Sequence, residues 1–189
     1  MIRAAIAVAL ACAHSTSGQA IVFDLSDVPA GGLLFGETAT IRAYASFPPD
    51  LYAVAGIETA LLTSEGSEGL GGFSILPPFD AGPAPIVTDD GIEGILAGQI
   101  NFPAAGIFAD PTNPVAVFEF GYSVTRTDEF DLELFTRTDR FDAYVDRGST
   151  DTIDLLGNLT EASAIIPINV PAPGVLAVLG LLSLGRRHR

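Results

Sequence analysis

Ala116-Val117-Phe118-Glu119-Phe120-Gly121-Tyr122 is the stretch that decides the architecture. Ala116, Phe118, Phe120 and Tyr122 alternate with Val117, Glu119 and Gly121, so a strand here puts three aromatic rings on one face and the carboxylate on the other. A period of two with one bulky apolar face marks a strand with one side in a core. Outward from it, residues 21–25, 38–47, 57–64, 72–76, 94–102, 129–136, 141–147 and 162–168 read as further strands, and the central one runs over 115–125. Turn clusters separate them: Phe47-Pro48-Pro49-Asp50, Pro77-Pro78-Phe79-Asp80, Ala81-Gly82-Pro83-Ala84-Pro85 and Asp110-Pro111-Thr112-Asn113-Pro114. The expected fold is all-β, an antiparallel β-sandwich of jelly-roll or Ig-like type, with no internal repeat. About 150 residues form one domain, enough to bury a core without disulfides.

A second pattern makes a more specific claim. Phe130, Leu132 and Leu134 and then Phe141, Ala143 and Val145 each share a face, with the polar Arg137-Thr138-Asp139-Arg140 between them. Read as a hairpin with Thr136 opposite Phe141, the register puts Leu134 against Ala143 and Leu132 against Val145 in the core. The same register sets Asp131 opposite Asp146 on the outer face, with Glu133, Asp142 and Tyr144 close by. Opposed like charges destabilise a strand pair unless a cation relieves them. Arg137, Arg140 and Arg147 could do so on a solvated acidic face; a calcium ion held by Asp131, Glu133, Asp142 and Asp146 is the alternative, and a glycosidase-like carboxylate pair a further one.

Charge and composition exclude more than they include. The chain carries −14 at pH 7, has no lysine, and keeps all its Asp and Glu between Asp24 and Glu161, where only Arg42, Arg126, Arg137, Arg140 and Arg147 oppose them. Such a surface repels nucleic acid and anionic lipid, whose binding depends on cationic side chains. His14 and Cys12 lie near the N-terminus and His188 near the C-terminus, so the body has neither residue type. That removes Ser-His-Asp and Cys-His catalysis, His- or Cys-ligated metals and structural disulfides; lysine's absence removes Schiff-base chemistry. Carboxylates, hydroxyls and a few arginines remain, suited to carboxylate-pair hydrolysis or oxygen-ligated metals. Gly69-Leu70-Gly71-Gly72 lacks the Lys-Ser/Thr of a phosphate loop. Asp89-Asp90-Gly91 lacks alternating calcium ligands and reads as a turn, as does Asn158-Leu159-Thr160. Phe73, Phe79, Phe102 and Phe108 lie close to Pro and Gly and are expected to pack or to anchor loops.

The two ends read as addresses. Arg3, an apolar run over 4–13 and the small-x-small Gly18-Gln19-Ala20 form a secretory signal peptide over residues 1–20, leaving an acidic sandwich over 21–169. Cys12 after Leu10-Ala11 is only a faint lipoprotein site, because the apolar run before it is short. Residues 170–189 follow as Val170-Pro171-Ala172-Pro173-Gly174, an apolar run over 175–185, and Arg186-Arg187-His188-Arg189. Arginines after an apolar segment stay on the cytoplasmic side, which puts the body across the membrane. About eleven apolar residues make roughly 16 Å of helix against a hydrocarbon core of about 30 Å. Counting back through 164–168 reaches about twenty-two, enough to span marginally as a transmembrane helix broken by prolines. A buried C-terminal core helix is the competing reading, and the terminal arginine cluster opposes it.

Proline motif, apolar segment and arginine cluster in that order resemble the C-terminal PEP-CTERM sorting domain of bacterial exported proteins, with Ala172 where the usual pattern has glutamate. The resemblance covers roughly a tenth of the chain. It implies handling by exosortase, a membrane protease of Gram-negative bacteria that make extracellular polysaccharide, and it implies a route and not an activity. The reading reached from sequence is an exported, non-enzymatic protein of the cell surface or extracellular matrix with a structural or adhesive role. The alternatives are a carbohydrate-binding module for extracellular polysaccharide, which needs a groove or an exposed aromatic row, and a carboxylate-dependent glycoside hydrolase.

Overall fold

The computed structural model describes residues 18–170. The expected signal peptide, apart from its last three residues, and the tail beyond Val170 lie outside the described residues. Twelve strands form two sheets: β1 (Ala20–Asp24), β2 (Leu33–Leu34), β3 (Thr38–Ser46), β4 (Ala53–Thr63), β5 (Leu70–Ile75), β6 (Asp80–Ala81), β7 (Ile86–Thr88), β8 (Gly91–Gly98), β9 (Val115–Ser123), β10 (Phe130–Tyr144), β11 (Thr152–Asp154) and β12 (Ser163–Asn169). The smaller sheet has the order β1-β3-β9-β5. The larger has β2-β12-β10-β4-β8-β6, with β11 against β10 and β7 against β8. All pairs are antiparallel except β12 with β2. The expected all-β sandwich is what forms.

One core lies between the sheets. Ala39, Ile41, Ala43 and Ala45 of β3 and Phe118, Phe120 and Tyr122 of β9 face Ile57 and Leu61 of β4, Ile95 of β8, Leu132, Leu134 and Phe141 of β10 and Ile166 of β12. Phe118 and Phe120 are fully buried, and Phe73 and Phe23 pack against them with centroids 5.8 and 6.2 Å away. Burying such rings is the main favourable term in a chain without disulfides, about 1.5–3 kcal/mol for each large side chain.

The central strand obeys its alternation only down to Phe118. Ala43 pairs with Phe118 but Tyr44 pairs with Ala116, leaving Val117 as a bulge residue. An extra residue inverts the phase beyond it. Val117 therefore turns into the core, against expectation, and Ala116 is only half-buried.

The expected hairpin does not form. Arg137, Thr138, Asp139 and Arg140 sit inside β10, a single strand of 15 residues that pairs with β4 from Leu134↔Thr63 to Tyr144↔Ala53. Leu134 lies opposite Ala164 of β12 and Thr63 of β4, and Ala143 opposite Val54 and Ile153. Val145 lies beyond the strand end and is exposed. Thr136 and Thr138 make the segment look polar, yet both are buried on the core side. Their partner is Glu161, whose carboxylate accepts from Thr136 Oγ1 at 2.6 Å, Thr138 N at 2.7 Å and Thr138 Oγ1 at 2.9 Å, while Thr59 Oγ1 lies 3.1 Å from Thr138 Oγ1. Glu161 thus continues the ladder where β12 leaves it, satisfying groups that are costly to bury unpaired.

Residues 164–168, counted above toward a membrane span, belong to β12, where Ile166 and Ile168 enter the core and the backbone pairs with β10. They contribute to no helix. Among the described residues no helix is long and apolar enough to cross a membrane. At the other end, Gln19 is buried, its Nε2 donating to the Leu155 carbonyl at 2.9 Å and its own carbonyl accepting from Thr160 N at 3.1 Å.

Asp89 and Asp90 form the expected turn, linking β7 to β8, and a Cβ on the following Gly91 would overlap the Leu61 carbonyl oxygen. Glycine is required there.

Replacing Glu161 by alanine leaves the Thr138 amide and two buried hydroxyls without their acceptor. Stability should fall by about 1–2 kcal/mol, the range for bonds to a charged acceptor reduced for partial exposure. A denaturant midpoint in E161A equal to the parent's would remove this role from the side chain.

Candidate functional site

The expected acidic quartet is dispersed by the true register. Asp131 lies opposite Pro167 and Glu133 opposite Ile165, both on β12. Asp142 is eleven positions further along the same strand, about 35 Å at the usual rise, opposite Gly56 and Asp154. Asp146 sits in the loop after β10 and accepts from Gly148 N at 2.7 Å. Among the described residues no three acidic, His or Cys side chains converge in a metal-binding group. The quartet failed because its geometry depended on a hairpin that the chain replaces with continuous strand. Of its members only Asp142 lies in a concavity.

That concavity is a groove of about 480 Å³ on the outer face of the larger sheet. Its floor is set by register: Asp142 of β10 lies opposite Gly56 of β4, Gly56 opposite Gly98 of β8, and Gly98 opposite Asp80 of β6. Two glycines without side chains leave the middle of the sheet bare between two acids. The next row holds Arg140, Glu58 and Leu96, again directly paired. Tyr144 and Thr152 close one end and Ile100 stands at the rim.

Three bulges aim these residues. Asp139 is the extra residue of β10, so Asp139 and Arg140 both face outward and Asp142 and Tyr144 follow in phase. Ala55 is the extra residue of β4, between Gly56↔Asp142 and Val54↔Ala143, and it opens onto the groove. In β8 the residues between Ile92 and Ile95 carry one extra, which includes Gly94 at φ 71°. Bulges recur where a sheet re-aims side chains at a site.

Arg140 Nε donates to Asp142 Oδ2. The Asp142 side chain is 10% exposed and that of Arg140 65%, so the ion pair has one end in the protein and one in water. Tyr144 Oη donates to the Gln99 carbonyl at 2.7 Å, fixing its ring over the end of β8. Asp80 and Asp142 are three strand spacings apart, roughly 14 Å between backbones, well beyond the separations of a retaining or inverting carboxylate pair.

The aromatic residues singled out from sequence divide. Phe79 is in the core and Phe73 packs against it. Phe102 and Phe108 are exposed instead of packed; Phe102 is held by a two-way backbone bridge to Ile107, and the Arg147 guanidinium lies 4.1 Å over the Phe108 ring. A second cleft of about 210 Å³, between β5 and the Pro83 and Pro85 turn, has no ionisable side chain in its lining.

Away from the groove, Arg126 bridges Glu65 and Asp128 at 2.5 Å each. Hydrogen bonding to Arg126 holds the Asp128 carboxyl below the ordinary aspartate range, and bonds from Thr112 do the same for Asp110.

No protein-family model matches the chain, and no curated protein matches it either. Among solved structures it is similar to the cohesin module from the family 33 glycoside hydrolase of Clostridium perfringens, at 12% identity and TM-score 0.52, over 82% of this chain and 100% of that one. It is similar also to the seventh ScaB type I cohesin from Pseudobacteroides cellulosolvens, at 13% identity and TM-score 0.52, over 83% and 96%. The fold is therefore a cohesin-like β-sandwich. At these identities the likeness is one of fold.

Gly56, Gly98, Glu58 and Asp80 escaped the sequence reading, whereas Arg140 is among the arginines named from sequence as able to relieve the acidic face, and it does so at Asp142. The available signal was Gly98, an isolated glycine inside the strand expected over 94–102, which marks a bulge or a close backbone approach; Gly56 lay one residue before the strand expected over 57–64. A double-mutant cycle on Arg140 and Asp142, with R140Q and D142N, should give a coupling below about 1 kcal/mol that shrinks at high salt, because one partner is solvated. Salt-independent coupling in urea titrations would mean that the pair is sealed from water.

Proposed function

We propose that this is an exported protein of the cell surface or extracellular matrix whose sandwich is a non-catalytic binding or adhesive module, and whose C-terminal residues are a sorting signal handled by an exosortase-like membrane protease. The observation that carries it is where the domain closes. β12 ends at Asn169, whose Nδ2 donates to the Gly31 carbonyl at 2.6 Å, and the proline motif begins at Val170. Cleavage anywhere after Val170 would leave every strand of the described residues in place. A signal meant for removal needs that boundary.

The binding role is supported by the groove, whose lining carries ionisable side chains where that of the cleft beside β5 does not, and by the likeness in fold to cohesin modules. An acidic, lysine-free surface fits a soluble partner that is not a nucleic acid. Extracellular polysaccharide is the second reading, favoured by the same groove. A hydrolase is disfavoured, since Asp80 is too remote from Asp142 and Arg140 occupies the Asp142 carboxylate.

Intact-mass measurement on the protein recovered from its native cell, with medium and membrane separated, tests this reading. The expected species lacks about the first twenty residues and everything after about Pro173. Its N-terminus also tells whether Gln19 and its two bonds survive. A mature species that keeps Arg186, Arg187 and Arg189 would overturn the sorting role and leave at most a membrane attachment.

A further inference from the structure

Neither glycine of the groove floor is demanded by its backbone. A Cβ on Gly56 would lie 3.7 Å from the Ala97 carbonyl oxygen and one on Gly98 3.8 Å from that of Ala55, ordinary van der Waals contacts. Neither has the positive φ found at Gly91, Gly94 and six other described glycines. Glycine weakens a strand interior through its entropy and its missing side chain, and here two are paired directly in the middle of the sheet. What the pair provides is bare, flat backbone that a ligand can approach closely.

Beside that floor stands a carboxylate that is nearly buried and has one oxygen left open to solvent. Asp142 is 7% exposed and lines the groove; Arg140 donates to Oδ2, and Oδ1 accepts no hydrogen bond from the described residues. Glu58 and the hydroxyl of Thr152 face the same space, with Tyr144 and Ile100 as apolar walls.

Resting on the reading of the body as a binding module, we infer that the groove takes a neutral or amino-bearing saccharide chain, one sugar ring lying flat on Gly56 and Gly98. Asp142 Oδ1 and Glu58 accept from its hydroxyl or ammonium groups, and Arg140 donates to a ring or hydroxyl oxygen. Glu58, Asp80 and Asp142 against the single Arg140 leave the groove negative, so uronate and sulfated chains are repelled. An extended peptide is the poorer occupant. The backbone of β4 and β8 is already paired on both sides, and a peptide added as a strand needs a free edge.

Purified protein is applied to an array of neutral, amino-bearing and uronic-acid oligosaccharides, and the ligands it retains are titrated calorimetrically against G56V, G98V and D142N. Expected is retention of neutral or amino-bearing chains and not uronates. Both valine variants should keep or raise the melting midpoint while affinity falls by at least about tenfold, and D142N should weaken binding at unchanged fold. Because valine suits a strand, loss of binding in a variant at least as stable as the parent cannot come from misfolding. No retained neutral or amino-bearing chain, undiminished affinity in G98V, or release of reducing sugar would each overturn the inference. A correctly processed surface protein that retains no saccharide would sink the ligand and leave the sorting role standing; a protein that binds but keeps its tail would sink the sorting role and leave the ligand standing.

Discussion

β10 bonds to β4 along most of its length and to β12 and then β11 on its other side, so the larger sheet is assembled around one unbroken strand. The phase of that strand changes once in mid-course, because Asp139 is an extra residue against β4 and a bulge there bends and twists the strand. Before it Leu132, Leu134, Thr136 and Thr138 face inward; after it Phe141 and Ala143 do. Were the same residues in unbroken alternation, with Asp139 paired like its neighbours, Phe141 would point to water and Asp142 and Tyr144 into the core. The burial of Phe141 and the aim of the groove are two outcomes of one insertion.

Much of the fold was legible because the long strands alternate. β1, β3, β4, β5, β8, β9 and β12 all overlap the segments expected from periodicity, since their apolar faces meet one core. The failures have a common cause. Where polar side chains are buried and satisfied, as Thr136 and Thr138 are by Glu161, a strand loses its apolar signature and looks like a turn. Where a bulge inverts the phase, as at Val117, alternation predicts the wrong face. Strands of two or three residues, β2, β6, β7 and β11, have no periodicity to read; neighbours already in place specify them.

The site was less legible than the fold. Its acids could be named, but which acids meet is a matter of register, and one misplaced turn moved Asp131 the length of a strand away from Asp142. The groove depends on residues whose contribution is the absence of a side chain, and nothing in one sequence separates a glycine kept for an open surface from one kept for a turn. The space around each Cβ position separates them: Gly91 has none, Gly56 and Gly98 have enough.

The placement of β12 has a mechanical consequence. Its backbone is bonded to β10 on one side and, at Ile168 and Asn169, runs parallel to β2 on the other, and the chain leaves the sheet directly at Val170. A force applied through the C-terminus along the strand axis loads the six registered pairs with β10 together, in shear, where a hairpin end would open them one at a time. The domain is thus tied in shear at the point from which anything attached beyond Val170 would pull.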